Sequence, residues 1–169
     1  NDRVQPVPES TQAGKLRGVQ KWITSNIVVA TAAKYGGAQL SRQMVDDINQ
    51  KAVDNGGRPD VLMMNSFNRI QLNNFAGPIS RDVDSQGRKI QTMIDVIESI
   101  AGKQEVHFNR YLTTSVLLAL EMQYWEQRWL RAPQSYIKGL AGSRTDGWDE
   151  AESTLVSWAE KASGKITGL

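Results

Sequence analysis

Gly56-Gly57 and Pro59 separate a segment with helical periodicity from a short apolar run. Before them, residues 42–55 follow Ser41, a suitable N-cap, and carry one apolar helical stripe of Met44, Val45, Ile48 and Ala52. Gly56-Gly57 suits a left-handed helix end, and Pro59 prevents the helix from continuing. The short apolar run 61–64 comes next. The sequence therefore predicts a helix over 42–55 and a buried strand over 61–64.

A second helix is predicted directly after this strand. Ser66 is a candidate N-cap, and the helix ends before Gly77-Pro78. Its inward-facing side chains are expected to be Phe67, Ile70 and Phe75. Helix, strand and helix in this order favour a compact α/β unit in which the strand is covered from both sides.

Outside this unit, local composition predicts one arm, one loop and two strands. Residues 1–17 contain Pro and polar residues without apolar periodicity, which is typical of a linker or arm. The polar stretch 80–89 is typical of an exposed loop. Residues 90–100 and 105–110 are β-branched or alternating, so they predict two strands joined by a turn at 101–103.

The last third of the chain gives conflicting signals. An apolar and aromatic stretch over 115–131 is expected to break at Pro133. Within 149–164, helical spacing is present at Ala151, Leu155, Trp158 and Ala162. Thr154, Val156 and Trp158 in the same segment alternate as in a strand. Periodicity alone leans towards a helix here.

Composition excludes several classes of function. The 169 residues contain no Cys, one His and a net charge of +2, so Cys nucleophiles, Cys zinc sites, multi-His centres and disulfide frameworks are ruled out. No apolar run approaches the roughly 18 residues of a spanning helix, so no membrane association is expected. No phosphate-binding glycine motif occurs, so no cofactor is expected. The chain begins at Asn1 rather than Met, and we expect a processed protein or a piece of a longer one.

Two local patterns suggest metal or proton chemistry but lack essential parts. Asp82, Asp84, Gln86 and Gly87 begin like a calcium loop, yet Met93 stands where a bidentate Glu is needed. We expect an ordinary polar loop and no metal site. His107 alternates with Val106 and Phe108, so it is predicted to face outward, into solvent or an interface.

Aromatic and arginine residues concentrate between Tyr124 and Arg131. Trp, Tyr and Arg are enriched at protein–protein hot spots, and stacked aromatics with Arg also bind single-stranded nucleic acid. The low net charge disfavours nucleic acid, and Trp125 and Trp129 are also suited to a core. Core, subunit interface and nucleic-acid platform are the three interpretations of this segment.

Landmarks along most of the chain resemble one protein family. They begin with Gly18-Val19-Gln20-Lys21-Trp22-Ile23 and continue with the turn Gly56-Gly57-Arg58-Pro59-Asp60 into the strand 61–64. Later landmarks are Tyr124-Trp125, Leu130-Arg131-Ala132-Pro133 and Leu140-Ala141. The chain ends with Glu152-x-Thr154-Leu155, Glu160-Lys161-Ala162-x-Gly164-Lys165 and Ile166-x-Gly168-Leu169. This order resembles the major capsid proteins of tailed bacteriophages, the branch with the Hong Kong 97-like fold.

The resemblance implies an α+β capsid fold with an axial and a peripheral domain. It implies that 1–17 are a linker or arm, 18–145 mainly the axial-type domain and 146–169 the closing strand of the peripheral domain. It also favours a strand over a helix for 152–158. Family members carry an arm, an extended loop and a spine helix before the Gly18 region, so the chain resembles their carboxy-terminal portion.

The function implied is that of a structural virion protein without an active site. Such a subunit assembles with copies of itself into hexamers and pentamers of an icosahedral shell around double-stranded DNA, which it contacts without sequence specificity. Decoration and portal proteins are implied as further partners, the host cytoplasm as the place of assembly and the virion as the final location.

We expect the subunit contacts to use aromatic and charged side chains on an otherwise polar surface. The candidate interface residues are Trp22, Tyr124, Trp125, Arg128, Trp129, Arg131, Glu160 and Lys161. One rival is a single-stranded nucleic-acid-binding module using Trp125–Arg131. The other is a hydrolase using carboxylates such as Asp46, Asp47 or Asp82, which requires an acid pair in a cleft.

Overall fold

The computed structural model describes residues 18–75, 95–139 and 145–169, and these fall into two units. The described part of the sheet unit contains residues 23–75, 95–124 and 159–169. The described part of the hairpin unit contains residues 18–22 and the two strands between Trp125 and Trp158. The predicted linker 1–17, the polar loop 80–89 and the calcium-like pattern at Asp82 lie outside the described residues.

The described elements are mixed helix and strand, which agrees with the predicted α+β class. The helices are α1 (Val19–Trp22), α2 (Ala32–Tyr35), α3 (Arg42–Asp54) and α4 (Ser66–Phe75), with 3₁₀ turns at Met122–Tyr124 and Glu160–Ala162. The first five strands are β1 (Ile27–Val29), β2 (Val61–Met64), β3 (Val96–Ser99), β4 (Gly102–Phe108) and β5 (Val116–Leu120). They are followed by β6 (Trp125–Gly139), β7 (Thr145–Ser157) and β8 (Gly164–Thr167).

The predicted helix over 42–55 is confirmed as α3, and its end follows the expected glycine chemistry. Gly56 has a φ of 82°, and the amide of Gly57 donates to the carbonyl of Ala52 at 2.8 Å. The stripe of Met44, Val45, Ile48 and Ala52 is buried. Ser41 occupies the N-cap position, but its hydroxyl makes no capping hydrogen bond.

Both long helices pack on one face of a six-stranded sheet of order β1-β8-β5-β2-β4-β3. Strands β1, β2 and β4 are parallel to one another. The connection from β1 to β2 contains α3, and the connection from β2 to β4 contains α4. Both connections move across the sheet in the same direction. Right-handed connections that step in one direction place their helices on the same side. The expectation that the helices flank the strand from both sides is therefore wrong. Their shared core contains Val28, Leu40, Met44, Val45, Ile48, Leu62, Met64, Leu72, Val106, Leu117, Ala119 and Ile166.

Strand β2 is nevertheless shielded on its second face. Val61 and Leu120 are register partners there and are 9% and 3% exposed, and Met63 is half-buried. The prediction of a buried strand over 61–64 is confirmed.

Helix α4 is present, but the predicted orientation of its side chains is wrong. Phe67 and Ile70 are exposed, whereas Asn68 and Leu72 are fully buried. Asn65 rather than Ser66 caps the helix, because its Oδ1 accepts from the Asn68 amide at 2.9 Å. The side chain of Asn68 also donates to the carbonyl of Thr114 at 2.8 Å, which turns this polar residue inward. The side chain of Phe75 lies outside the description.

The two predicted strands before residue 110 are confirmed with shifted bounds. Of the segment 90–100, residues 90–94 lie outside the described part, and β3 covers Val96–Ser99. Strand β4 begins at Gly102, so the turn lies at 100–101 rather than at 101–103.

The expected break at Pro133 and the helical alternative for 149–164 are both wrong. Strand β6 continues through Pro133 with register shifts between Trp129 and Arg131 and between Arg131 and Gln134. A bulge accommodates the missing N–H of proline without ending the strand. Strand β7 covers most of the ambiguous segment, which confirms the strand preference for 152–158 up to Ser157.

Candidate subunit interface

The hairpin unit presents unusually exposed apolar side chains. Trp125 pairs with Ser157 at one end of the β6–β7 ribbon, and Gly139 pairs with Thr145 at the other. A two-stranded ribbon has little core of its own and is marginally stable in water. Side chains at least 41% exposed on this unit include Trp129, Leu130, Tyr136, Ile137, Trp148 and Trp158. Apolar surface concentrated in this way is typical of a region that another chain covers.

An arginine, a tryptophan and a glutamate form a cluster at the end where Trp125 pairs. The guanidinium of Arg128 lies 5.0 Å from the centre of the Trp158 ring, within cation–π range. The Glu126 carboxylate accepts from Arg128 Nε at 3.1 Å and from Trp158 Nε1 at 3.3 Å. Trp158 is thereby fixed in orientation while 62% of it remains exposed.

Arg131 lies at the bulge and is paired across the ribbon. Its guanidinium forms an ion pair with Glu150 and approaches Glu152 at 4.0 Å. The hydrogen bond with Glu150 raises the pKa of Arg131 above its ordinary value. Arg128 and Arg131, which were predicted to contact a partner, are therefore each paired with a carboxylate of the same unit.

A stacked aromatic pair marks the other half of the ribbon. Tyr136 and Trp148 are register partners, and their rings stack at 5.4 Å with an interplanar angle of 21°. Next to them, Ser135 Oγ donates to Asp149 Oδ1 at 2.6 Å. The pair gives this half of the ribbon an exposed surface of two stacked aromatic rings.

Comparison with known families assigns the chain to a class of protein. The model of one family, the SU10 major capsid protein, matches residues 1–169. The chain belongs to the SU10 major capsid protein family. The resemblance to phage major capsid proteins is thereby confirmed, and with it a structural role in the virion capsid through association with further copies. No curated protein matches the chain.

In this capsid protein the predicted interface residues lie in different places. Arg128, Trp129 and Arg131 share β6, and Trp129 is 50% exposed. Trp125 begins the same strand and is half-buried, as are Tyr124 in the preceding turn and Trp22 at the end of α1. The structure thus brings together the β6 residues of the predicted set.

Glu160 has an intramolecular role in the capsid subunit. Its carboxylate accepts from the backbone amides of Thr24 and Ser25, the second at 2.7 Å, and from the Ser25 hydroxyl at 2.9 Å. Burial alone would raise the pKa of Glu160, but the hydrogen bonds from Ser25 and Thr24 outweigh it and hold the pKa below its ordinary value. The side chain of Lys161 is exposed, and its carbonyl accepts from Asn26 Nδ2 at 2.6 Å.

Of the carboxylates proposed for hydrolytic chemistry, Asp46 and Asp47 are each paired with a different basic residue, and Asp82 lies outside the described residues. Asp47 accepts from Lys34 Nζ at 2.5 Å and from the Tyr35 hydroxyl at 2.7 Å, and Lys34 lowers the pKa of Asp47. Asp46 pairs with Arg42 at 3.7 Å on the exposed face of α3. His107 faces outward as predicted, with Nε2 3.4 Å from Glu105. Capsid family membership indicates a non-enzymatic protein.

Metal-binding clusters and membrane-spanning helices are both absent from the described residues. No group of three or more His, Asp or Glu side chains there could hold a metal ion. None of the described helices has the length and hydrophobicity needed to cross a bilayer.

Sequence reasoning missed several exposed aromatics of the capsid subunit. Tyr136, Trp148 and Trp158 belong to the hairpin unit, and their pairing depends on cross-strand register that no local pattern shows. The sheet unit adds the exposed side chains of Phe67, Ile70, Phe108 and Tyr111. The strand-like alternation of Thr154, Val156 and Trp158 was the available signal for this part of the ribbon.

Proposed function

We propose that the chain is the shell-building subunit of an icosahedral capsid with a Hong Kong 97-like fold. The sheet unit is the counterpart of the axial domain, and the hairpin unit belongs to the peripheral domain. This proposal puts the boundary near residue 124 and gives residues 159–169 to the axial side, since β8 lies between β1 and β5 in the sheet.

The observation that carries the proposal is the exposed aromatic surface of the hairpin unit in a member of a capsid family. Shell closure requires several contacts per subunit, and each needs apolar or Arg anchors that are desolvated on assembly. Trp129, Trp148 and Trp158 are 50%, 54% and 62% exposed, so a subunit contact has apolar surface of these side chains to bury. Of the predicted set, Arg128, Trp129 and Arg131 are proposed as anchors; Trp22, Tyr124, Trp125 and Lys161 are proposed at the margin of contacts.

The charge distribution favours the interpretation as a capsid subunit and disfavours the interpretation as a nucleic-acid platform. Arg128 faces Glu126, and Arg131 faces Glu150 and Glu152, so the aromatic segment carries little net positive charge. Single-strand binding needs uncompensated cations along the groove. We propose that packaged double-stranded DNA is contacted without sequence specificity, and that portal and decoration proteins complete a shell assembled in the host cytoplasm.

The proposal is tested on particles purified from the protein's native source. Particles are treated with nuclease, imaged by negative stain, and their remaining nucleic acid is digested with DNase or RNase after opening. Icosahedral particles containing this chain and nuclease-protected double-stranded DNA are expected. Particles without icosahedral capsomers, or a chain that sediments free of particles, would overturn the proposal.

A further inference from the structure

The carboxyl ends of β2 and β4 form an exposed aromatic edge on the sheet unit. The strands are parallel neighbours, with Met64 and Phe108 as register partners, and the Asn109 amide donates to the Met64 carbonyl at 2.8 Å. Phe108 has the same strand parity as Val106, so it lies on the helix-bearing face of the sheet. It is 51% exposed.

Helix α4 and the loop after β4 extend this surface. The helix starts two residues after β2 ends, and its outer side carries Phe67 and Ile70, which are 54% and 56% exposed. In the loop, Tyr111 is 82% exposed, and Arg110 lies 4.9 Å from its ring centre. The bond from Asn68 Nδ2 to the Thr114 carbonyl fixes the loop to α4. We call these five residues the aromatic edge: Phe67, Ile70, Phe108, Arg110 and Tyr111.

The Arg110 guanidinium is available for an ion pair with another chain. Its Nη2 donates to the Tyr111 hydroxyl at 2.8 Å, and none of the ion pairs found among the described residues involves it. Phe, Ile, Tyr and an available Arg form a composition typical of interface hot spots.

The opposite face of the same sheet carries a complementary surface. On β3 and β4, Val96 and Glu105 are register partners on the face away from the helices, and Glu98 lies two residues beyond Val96. Val96 is 42% exposed and the Glu105 side chain 61% exposed. Lys103 and His107 flank Glu105 on this face, and His107 is its one partner among the described residues, at 3.4 Å. We call Val96, Glu98 and Glu105 the acidic strand face.

We propose that the aromatic edge of one subunit docks on the acidic strand face of the next copy of this chain. Arg110 pairs with Glu105 of the neighbouring copy, and Phe108 and Tyr111 cover its Val96. Because the two surfaces lie on different sides of one sheet, the contact is head-to-tail, the type of contact that builds a ring when the rotation between copies closes. The inference rests on the proposed shell function and adds the surfaces that build each capsomer.

Cysteine cross-linking tests the contact, because the chain contains no Cys. The double variant Val96→Cys/Tyr111→Cys is treated with a short bis-maleimide during assembly and analysed on a denaturing gel. A ladder of covalent multimers is expected from the double variant. Either single variant alone gives no cross-link, and an equal mixture of the two gives dimers only. Dimers from one single variant alone would overturn the head-to-tail arrangement.

Charge reversal provides a second measurement by sedimentation of assembled material. Arg110→Glu and Glu105→Arg are each expected to reduce assembly by about tenfold or more, and their combination to restore it. Arg42→Glu, an exposed arginine on α3, is the matched control and should assemble normally. If unmodified chain forms shells but Arg110→Glu assembles normally, the inference fails and the shell function stands. If unmodified chain forms no shells and the double variant gives no ladder, both fail.

Discussion

At the residue scale, a pair of buried amides joins α3 to β4 inside the sheet unit. Asn49 and Gln104 are fully buried and exchange two hydrogen bonds of 2.9 Å each. Gln104 Nε2 also donates to the Pro59 carbonyl at 3.0 Å. Buried polar groups satisfied in this reciprocal way fix the register of a core, whereas one left alone is costly.

Replacing one member of the amide pair should destabilise the fold. Gln104→Leu leaves the Asn49 amide and the Pro59 carbonyl without partners, at a cost of about 1–3 kcal/mol for each buried group. We expect Asn49→Leu/Gln104→Leu to cost less than the sum of the two single variants, since neither amide is then left unpaired. Urea unfolding of the four proteins measures this. Additive effects would show that the two amides are not coupled.

Glu160 makes the stability of the sheet unit depend on pH, and the direction of this dependence follows from its pKa. Its folded-state pKa lies below the ordinary value of 4.5, so its hydrogen bonds contribute stability fully above that value. The contribution is lost as the pH falls through the lower folded pKa. Glu160→Gln should therefore reduce stability at neutral pH and flatten its acid dependence below about pH 5.

Unfolding midpoints between neutral and acidic pH test the role of Glu160. The matched control is Glu98→Gln, an exposed glutamate on β3. An acid profile of Glu160→Gln that superimposes on that of the unmodified chain would contradict the assignment.

At the element scale, the end of α3 packs closely on the turn at Glu160–Ala162. A Cβ on Gly57 would lie 2.6 Å from the Ala162 carbonyl oxygen, whereas one on Gly56 would meet no atom within 4 Å. Gly57→Ala should therefore cost about 3 kcal/mol or more, because backbone on both sides cannot rotate away. Gly56→Ala should cost about 1–2 kcal/mol for its positive φ.

Thermal or urea unfolding of the two glycine variants separates close packing from backbone strain. Equal losses at both positions would mean that the turn moves aside and that the contact does not constrain α3.

The sequence predicted elements whose signals are local and missed those set by partners distant in sequence. The apolar stripe and the Gly-Gly stop are sufficient to define α3, and the apolar run after Pro59 defines β2. The predicted orientation of the α4 side chains was wrong because Asn68 is buried by a hydrogen bond to Thr114, 46 residues away. The candidate contact residues on β6 were chosen from composition, and their role in subunit contacts stays a prediction. Their pairing with Glu150, Glu152 and Trp158 could not be predicted, since it follows from strand register.

The hairpin unit should matter more for assembly than for folding. The arginines pair with carboxylates at exposed positions, and ion pairs of this kind contribute little to folding. As interface anchors they should contribute more, so Arg128→Ala/Arg131→Ala should reduce shell yield by about tenfold or more. Shell yield by sedimentation and unfolding by urea give the two readouts. Arg42→Ala is the control, and double-variant shells at the yield of the unmodified chain would refute the anchor role.

At the scale of the whole molecule, two units carry separate exposed surfaces. The sheet unit has its own helix-covered core, and the hairpin unit displays exposed tryptophans. A subunit with several distinct contact surfaces suits a closed shell, in which neighbours differ around each subunit.

Assembly of this chain into a shell with copies of itself can be measured on the purified protein. Sedimentation velocity, with negative-stain imaging of the fastest peak, is the measurement to make. We expect virus-sized particles with hexagonal and pentagonal capsomers. A chain that sediments only as a monomer at every concentration and salt condition tested would contradict this expectation.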